Sequence, residues 1–394
     1  MWKSHRLRIC PGRSWMKNKL ELYIHIPFCI RKCNYCDFLS APADEETKRN
    51  YVSALIREIQ QSSCVDALVD TIFIGGGTPS ILEAEQMEEI LASVRENFHI
   101  CENAEITIEC NPGTVTEEKL LTYKKFGVNR ISFGLQSTNN EELRCLGRIH
   151  SYEDFLESYE LARKCGFDNI NIDLMSALPG QTIESYEETV RKVLALNPEH
   201  ISAYSLSVEE GTALKRQLDR DGYDCLPSED DERSMYYRTE QLLKAAGYHR
   251  YEISNYAKDG FSCRHNIGYW KRKEYMGFGL GAASLIGNCR YNNTSDFKCY
   301  VNVQDFESVR VNQEQLSLKD QMAEFMFLGL RMMEGVSSEE FRTTFQTDLY
   351  AVYGDVMDKF IKQELLVDNK ERIYLTPKGI DVSNYVMAEF LLEN

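Results

Sequence analysis

Two hydrophobic rhythms alternate along the first half of the chain. Short apolar and β-branched runs stand at Leu22–Ile26, Thr71–Gly75, Glu105–Glu109, Arg130–Gly134, Asn169–Met175 and Ile201–Leu206. Between them lie longer stretches with helical periodicity, at Glu45–Gln60, Glu83–Asn97, Glu117–Lys125, Tyr152–Cys165 and Ile183–Leu196. Such alternation predicts βαβ units around a parallel sheet, an α/β fold. Six units suit either an open barrel or a doubly wound sheet, and the rhythm does not choose. After about Ser207 the pattern changes. Asp230–Ala246 reads as one helix ended by Gly247, and a Tyr-, Asn- and Gly-rich segment follows over 251–284. From about Val311 a helical segment opens a smaller unit, which closes with a hairpin turning at Asp368–Lys370 and a helix from Pro377. Helices with a terminal hairpin predict a winged-helix-like module over 311–394, after a first domain over 21–310.

Composition narrows the possible partners. Hydrophobic residues make up 43% and charged residues 27% of the 394, as in ordinary globular proteins. Forty-five basic residues against 61 acidic leave a net charge of −16. A polyanion is a poor general binder of nucleic acid, so no nucleic-acid partner is expected. No apolar run approaches the ~18 residues of a membrane span, so no integral membrane segment is expected either. Residues 1–20 are basic and lack acids. They read either as leader-like or as a disordered start ahead of Met16. The 13 cysteines are an odd number, and those outside one cluster are irregularly spaced. They read as reduced, small buried side chains, which points to the cytoplasm.

The cluster is Cys29, Cys33 and Cys36, spaced C-x3-C-x2-C just after the first strand. Soft thiolates suit zinc or iron–sulfur clusters. A structural zinc site wants four ligands. A cubane [4Fe–4S] cluster held by three cysteines keeps one iron open for another ligand. Loops that follow strands are where α/β folds place their sites. Other strand ends add polar groups: the run "GGGTPS" with Gly76, Gly77 and Thr78, then Glu109, Gln136, Arg148 and Asp173. Singly, each is an ordinary turn, cap or surface charge. Converging on one sheet edge, they make a candidate site.

The cysteine spacing, with Tyr35 before the last cysteine, resembles the radical S-adenosylmethionine (SAM) superfamily. That resemblance implies a partial (β/α)6 barrel and a [4Fe–4S] cluster whose open iron binds the amino and carboxylate groups of SAM. It further implies that Tyr23 and the Gly76–Thr78 turn lie by the methionine end. Tyr35, Glu109, Gln136, Arg148 and Asp173 join the cofactor-binding set. "YIHIPFC", "ECNPG", "FGLQS" and "NIDLMSALPGQT" are similar to one branch, the oxygen-independent coproporphyrinogen III oxidases and their relatives. Two departures separate this chain from the oxidases. Phe38 stands where they carry a further cysteine, and about twenty residues precede the first strand where they have more. "HNIGYW", His265 to Trp270, instead resembles the H-N-x-x-Y-W motif of the HemW-type haem chaperones. On that likeness His265 is a candidate axial ligand, and Tyr269 and Trp270 offer faces for a porphyrin. On residue chemistry alone the segment reads as a polar turn with packed aromatics. The expected function is haem binding and transfer to a client protein, with an electron donor for the cluster. Decarboxylation of coproporphyrinogen III is the alternative. DNA regulation through the terminal module is a third reading, which the non-basic terminal helix disfavours.

Overall fold

A computed structural model describes residues 19–62 and 64–392, so the reading of the first eighteen residues falls outside the described part. The six apolar runs form β1 (Lys19–Ile26), β2 (Cys64–Gly76), β3 (Phe98–Cys110), β4 (Arg130–Gln136), β5 (Ile170–Ser176) and β6 (His200–Ser205). They pair in chain order, all parallel. The crossover helices begin where the sequence supplies caps. Asp44, Thr116, Ser151 and Thr182 each accept a hydrogen bond from the backbone N–H three residues on. This is the α/β architecture of a partial (β/α)6 barrel.

The strands alternate between two faces. Leu22, Ile24, Ile72, Ile74, Ile106, Ile108, Ile131, Phe133, Ile170, Ile172 and Ile201 form the buried layer with the helices. The residues between them are largely polar: Glu21, Tyr23 and His25 on β1, Glu105, Thr107 and Glu109 on β3, Arg130, Ser132 and Gly134 on β4. A side-chain period of two sends these to the opposite, inner face.

The sheet continues beyond the six units. β1 pairs in parallel with Tyr275–Phe278, and an antiparallel meander of Ala283–Ile286, Cys289–Asn293 and Arg310–Gln315 follows. At the other edge β6 pairs with Asn255–Ala257, which pairs with His249–Arg250. Within the Tyr/Asn/Gly-rich segment, Arg264–Trp270 is a short helix. It packs under the inner face. The backbone N–H groups of Arg264 and His265 donate to Glu105, and Gly268 lies so close to Glu21 that a Cβ there would sit 1.9 Å from its Oε1. Only glycine fits that approach.

The terminal unit has its own apolar cluster, built from Met326, Phe341, Tyr353, Phe360, Ile373 and Phe390 among others. Helices Leu318–Gly329, Ser338–Phe345 and Leu349–Lys362 pack with a three-stranded antiparallel sheet, in the manner of a winged helix; its strand Val336–Ser337 follows the first helix, and Leu366–Asp368 and Arg372–Leu375 follow the third. Arg310–Gln315 belongs to the large sheet, so its pairing carries the first unit slightly past residue 310.

Candidate cofactor cavity

A cavity of about 330 Å³ opens at the carboxyl ends of the parallel strands. Cys29, Cys33, Tyr35, Cys36, Gly76, Gly77, Thr78, Glu109, Gln136, Arg148 and Asp173 all line it. Eleven of the sequence candidates thus share one wall system. Among the lining residues that sequence reasoning missed are Asn111, Ser132, Ser202, Tyr204, Ser254, Asn255 and Asn266. Asn111 and Ser132 lie inside motifs already noted, so strand-end position pointed to them. Ser254, Asn255 and Asn266 arrive from beyond the six units, where no periodic pattern marks them.

The glycine run acts on the cysteine loop itself. Gly77 N–H donates to the carbonyl of Ile26 at 2.9 Å and Thr78 N–H to that of Phe28 at 2.7 Å. A Cβ on Gly77 would stand 2.6 Å from the Phe28 oxygen. Gly76 has φ +107° and a Cβ there would meet the His25 ring at 2.4 Å. These glycines let the loop's first turn press against the end of β2. Cys29 is then reached by the Thr78 hydroxyl at 3.5 Å, and Cys33 by Arg148 Nη1 at 3.5 Å. Arg148 Nη2 also donates to Asn111 Oδ1 at 2.9 Å and to the Gly134 carbonyl, which fixes the guanidinium beside the cysteines.

Two carboxyl groups sit below. Burial, followed by the neighbouring Asp173, pushes Glu109 up to about 7, although the Gly76 N–H donates to it at 3.1 Å. Burial also raises Asp173, and Asn171 Nδ2, at 2.7 Å, works the other way with the Ser202 hydroxyl. Gln136 has φ 75° and accepts from the Tyr204 hydroxyl at 3.1 Å. A cavity with a thiolate loop, a fixed cation and buried carboxyls suits a ligand carrying both charges and hydroxyls.

Three candidates lie elsewhere. His265 is 1% exposed, with Nδ1 2.7 Å from Thr71 Oγ1 and Nε2 3.0 Å from the Tyr269 hydroxyl. It stacks on Phe73 at 5.2 Å, and burial pushes it down to about 3. So folded, the ring is neutral and has no free nitrogen for iron, which departs from the expected axial ligand. Tyr23 and Trp270 line a second cavity of about 300 Å³, with Tyr269, Tyr275, Leu285, Arg290 and Leu328. The Tyr23 hydroxyl pairs with His25 Nδ1 at 3.0 Å. Tyr23 also neighbours Glu109, whose carboxyl lines the cysteine cavity.

Residues 23–193 match the radical SAM superfamily, and residues 316–382 match the HemN C-terminal domain. A protein named heme chaperone HemW from Lactococcus lactis is 40% identical over 94% of this chain and 97% of its own. HemW of Bacillus subtilis is 37% identical over 94% and 99%. The chain belongs to the HemW family of radical SAM proteins. The solved coproporphyrinogen III oxidase HemN of Escherichia coli, a radical SAM enzyme, superposes with a TM-score of 0.84 at 25% identity, over 96% of this chain and 91% of that one.

Membership brings a [4Fe–4S] cluster and SAM as cofactors. The cavity's donor set fits them. All three loop cysteines are free thiols. No group of His, Cys, Asp or Glu among the described residues is gathered tightly enough for a single metal ion. A cubane does not ask for that, since each of its irons takes a separate thiolate. N–H and O–H donors to the sulfurs, as from Arg148 and Thr78, are a usual means of setting a cluster's potential.

Proposed function

We propose that this chain is a haem chaperone, which binds haem and hands it to a client protein. The observation that carries this reading is the near-full-length identity of up to 40% to proteins bearing that name. Cys29, Cys33 and Cys36 hold the cluster, and an external electron donor reduces it. When bound, the cluster supplies an open iron and an electron. The chain's own residues do the rest. Arg148 and Thr78 steady the cysteine sulfurs, Tyr35 and the Gly76–Thr78 turn wall the site, and Glu109, Gln136 and Asp173 offer acceptors to SAM. With its formal charge of −16, the chain is not read as a nucleic-acid partner. No helix among the described residues is long and apolar enough to cross a membrane. Every cysteine whose side chain is described is unpaired, which supports a reducing compartment such as the cytoplasm.

Haem rests on the aromatic wall of the second cavity, against Trp270, Tyr269 and Tyr275. Arg290, about one-third exposed and paired with Glu324 at 2.7 Å, and Arg272, paired with the same carboxylate, are the cations of that cavity for a propionate. His265 supports that wall through the Tyr269 hydroxyl and does not touch the iron. Against the oxidase reading stands Phe38. It is 63% exposed at the cavity rim, where an oxidase has a cysteine. The test is a coproporphyrinogen III assay and a haem titration on the same anaerobically reconstituted protein. The account expects stoichiometric haem binding and no protoporphyrinogen. Robust turnover with SAM and reductant would replace the chaperone by the oxidase.

A further inference from the structure

The helix Arg264–Trp270 brings one more side chain to the cysteine cavity. Asn266 lines the cysteine cavity, although it lies beyond the six βα units. Its neighbour His265 is turned the other way and tied to Thr71 and Tyr269. Glu105 and Gly268 fix the helix from both sides. Asn266 is therefore held on a rigid mount. Its side-chain amide has no hydrogen-bond partner within the described chain, while most polar neighbours have theirs. Ser132 accepts from Asn171, and Ser202 donates to Asn171. Asn255 Nδ2 donates to Glu252, whereas its Oδ1 is buried without a donor.

The cavity wall carries unlike groups from two parts of the chain. The thiol loop and Arg148 come from one. Ser202, Ser254, Asn255 and Asn266 bring neutral donors and acceptors from β6 and the segment after it, beside the Asp173 carboxyl that Ser202 bonds. SAM divides into a charged methionine end, which the open iron takes, and a neutral adenosine end. We infer that Asn266 is a SAM-binding residue, which hydrogen-bonds the adenosine half of the ligand through its free amide. This rests on the cofactor reading above, and it gives the "HN" of the segment two jobs. The histidine anchors, and the asparagine binds.

The test uses anaerobically reconstituted protein and equilibrium dialysis with SAM, S-adenosylhomocysteine and methionine. Asn266→Ala should weaken SAM and S-adenosylhomocysteine by about tenfold, as the loss of one well-formed hydrogen bond predicts. Methionine binding, the cluster's absorption and haem affinity should be unchanged. Asn266→Ser, which keeps a donor and an acceptor, should recover part of the loss. If Asn266→Ala fails to load its cluster, the comparison of Asn266→Ser with Asn266→Val carries the test, with weaker binding expected in the valine variant. Equal affinity of wild type and variants for S-adenosylhomocysteine would overturn the inference, as would a loss confined to haem. Failure of the wild type to bind SAM at all would instead overturn the cofactor reading.

Discussion

Gly77→Ala tests whether the glycine run serves the cysteine loop. The new methyl would stand 2.6 Å from the Phe28 oxygen, 2.8 Å from the Ile26 oxygen and 2.9 Å from the Phe28 nitrogen. Carbon–oxygen contacts settle at about 3.3 Å or more. The loop must therefore retreat by roughly 0.7 Å. Those two oxygens accept the bonds from Gly77 and Thr78, at 2.9 and 2.7 Å. A retreat of that size stretches the Thr78 bond to about 3.4 Å, and the roughly 0.5 Å needed at the Ile26 oxygen stretches the Gly77 bond to about 3.4 Å, so both sit at the weak edge of hydrogen-bonding range. Two such bonds contribute about 1–3 kcal/mol, and overpacking costs about 1–3 kcal/mol more. The sum, about 2–6 kcal/mol, falls on the turn that carries Cys29. The assay is iron content and visible absorption after anaerobic reconstitution, with denaturant unfolding of the cluster-free protein. Gly77→Ala should load poorly and unfold earlier. Gly354→Ala is the control: this glycine lies in the helix Leu349–Lys362 with open space around it, so alanine there should be neutral or stabilising by up to ~1 kcal/mol. Full iron loading and an unmoved midpoint in Gly77→Ala would refute the reasoning.

Replacing any one of Cys29, Cys33 or Cys36 by Ala should abolish the brown chromophore, and iron analysis should fall from roughly four per chain; stoichiometric zinc in place of iron would sink the cluster assignment. His265→Ala strands Thr71 and the Tyr269 hydroxyl in the interior. It should therefore lower stability by about 2–4 kcal/mol while leaving the haem Soret position where it was, and a shifted Soret band would restore the histidine as ligand. Burial pushes Glu58 up to about 7 from an ordinary 4.5, so below pH 4.5 folded and unfolded forms are protonated alike. As pH rises toward 7 the unfolded form ionises first, so wild type should lose on the order of 3 kcal/mol relative to Glu58→Gln across that window. Parallel pH–stability curves for the two proteins would contradict this.

The α/β alternation was plain in the sequence because each crossover helix carries its own cap and each strand its own apolar face. Strand ends were underestimated where polar inner-face residues, such as Glu21 and Gln136, broke the apolar run. The cysteine cavity was legible since its residues recur at one structural place, the end of a strand. The helix Arg264–Trp270 was not. It is seven residues long, its first-turn charge Arg264 pairs with Asp70 on β2, and contacts far along the chain decide its placement. Periodicity sees none of these. The same blindness made His265 look available. Nothing in "HNIGYW" says that Thr71, far along the chain, takes Nδ1, and only a helical reading of the segment brings Tyr269, four residues on, to Nε2.

As proposed, this chain carries haem and gives it up. The direct measurement is transfer. Cluster-loaded protein is charged with haem, freed of excess, and mixed with a haem-free acceptor haemoprotein while the Soret spectrum is followed. One haem should bind per chain, more weakly in Trp270→Ala, and should pass to the acceptor faster than from a non-specific haem-binding protein. Failure to retain haem through the removal of excess, or equal retention by wild type and Trp270→Ala with no transfer, would contradict it.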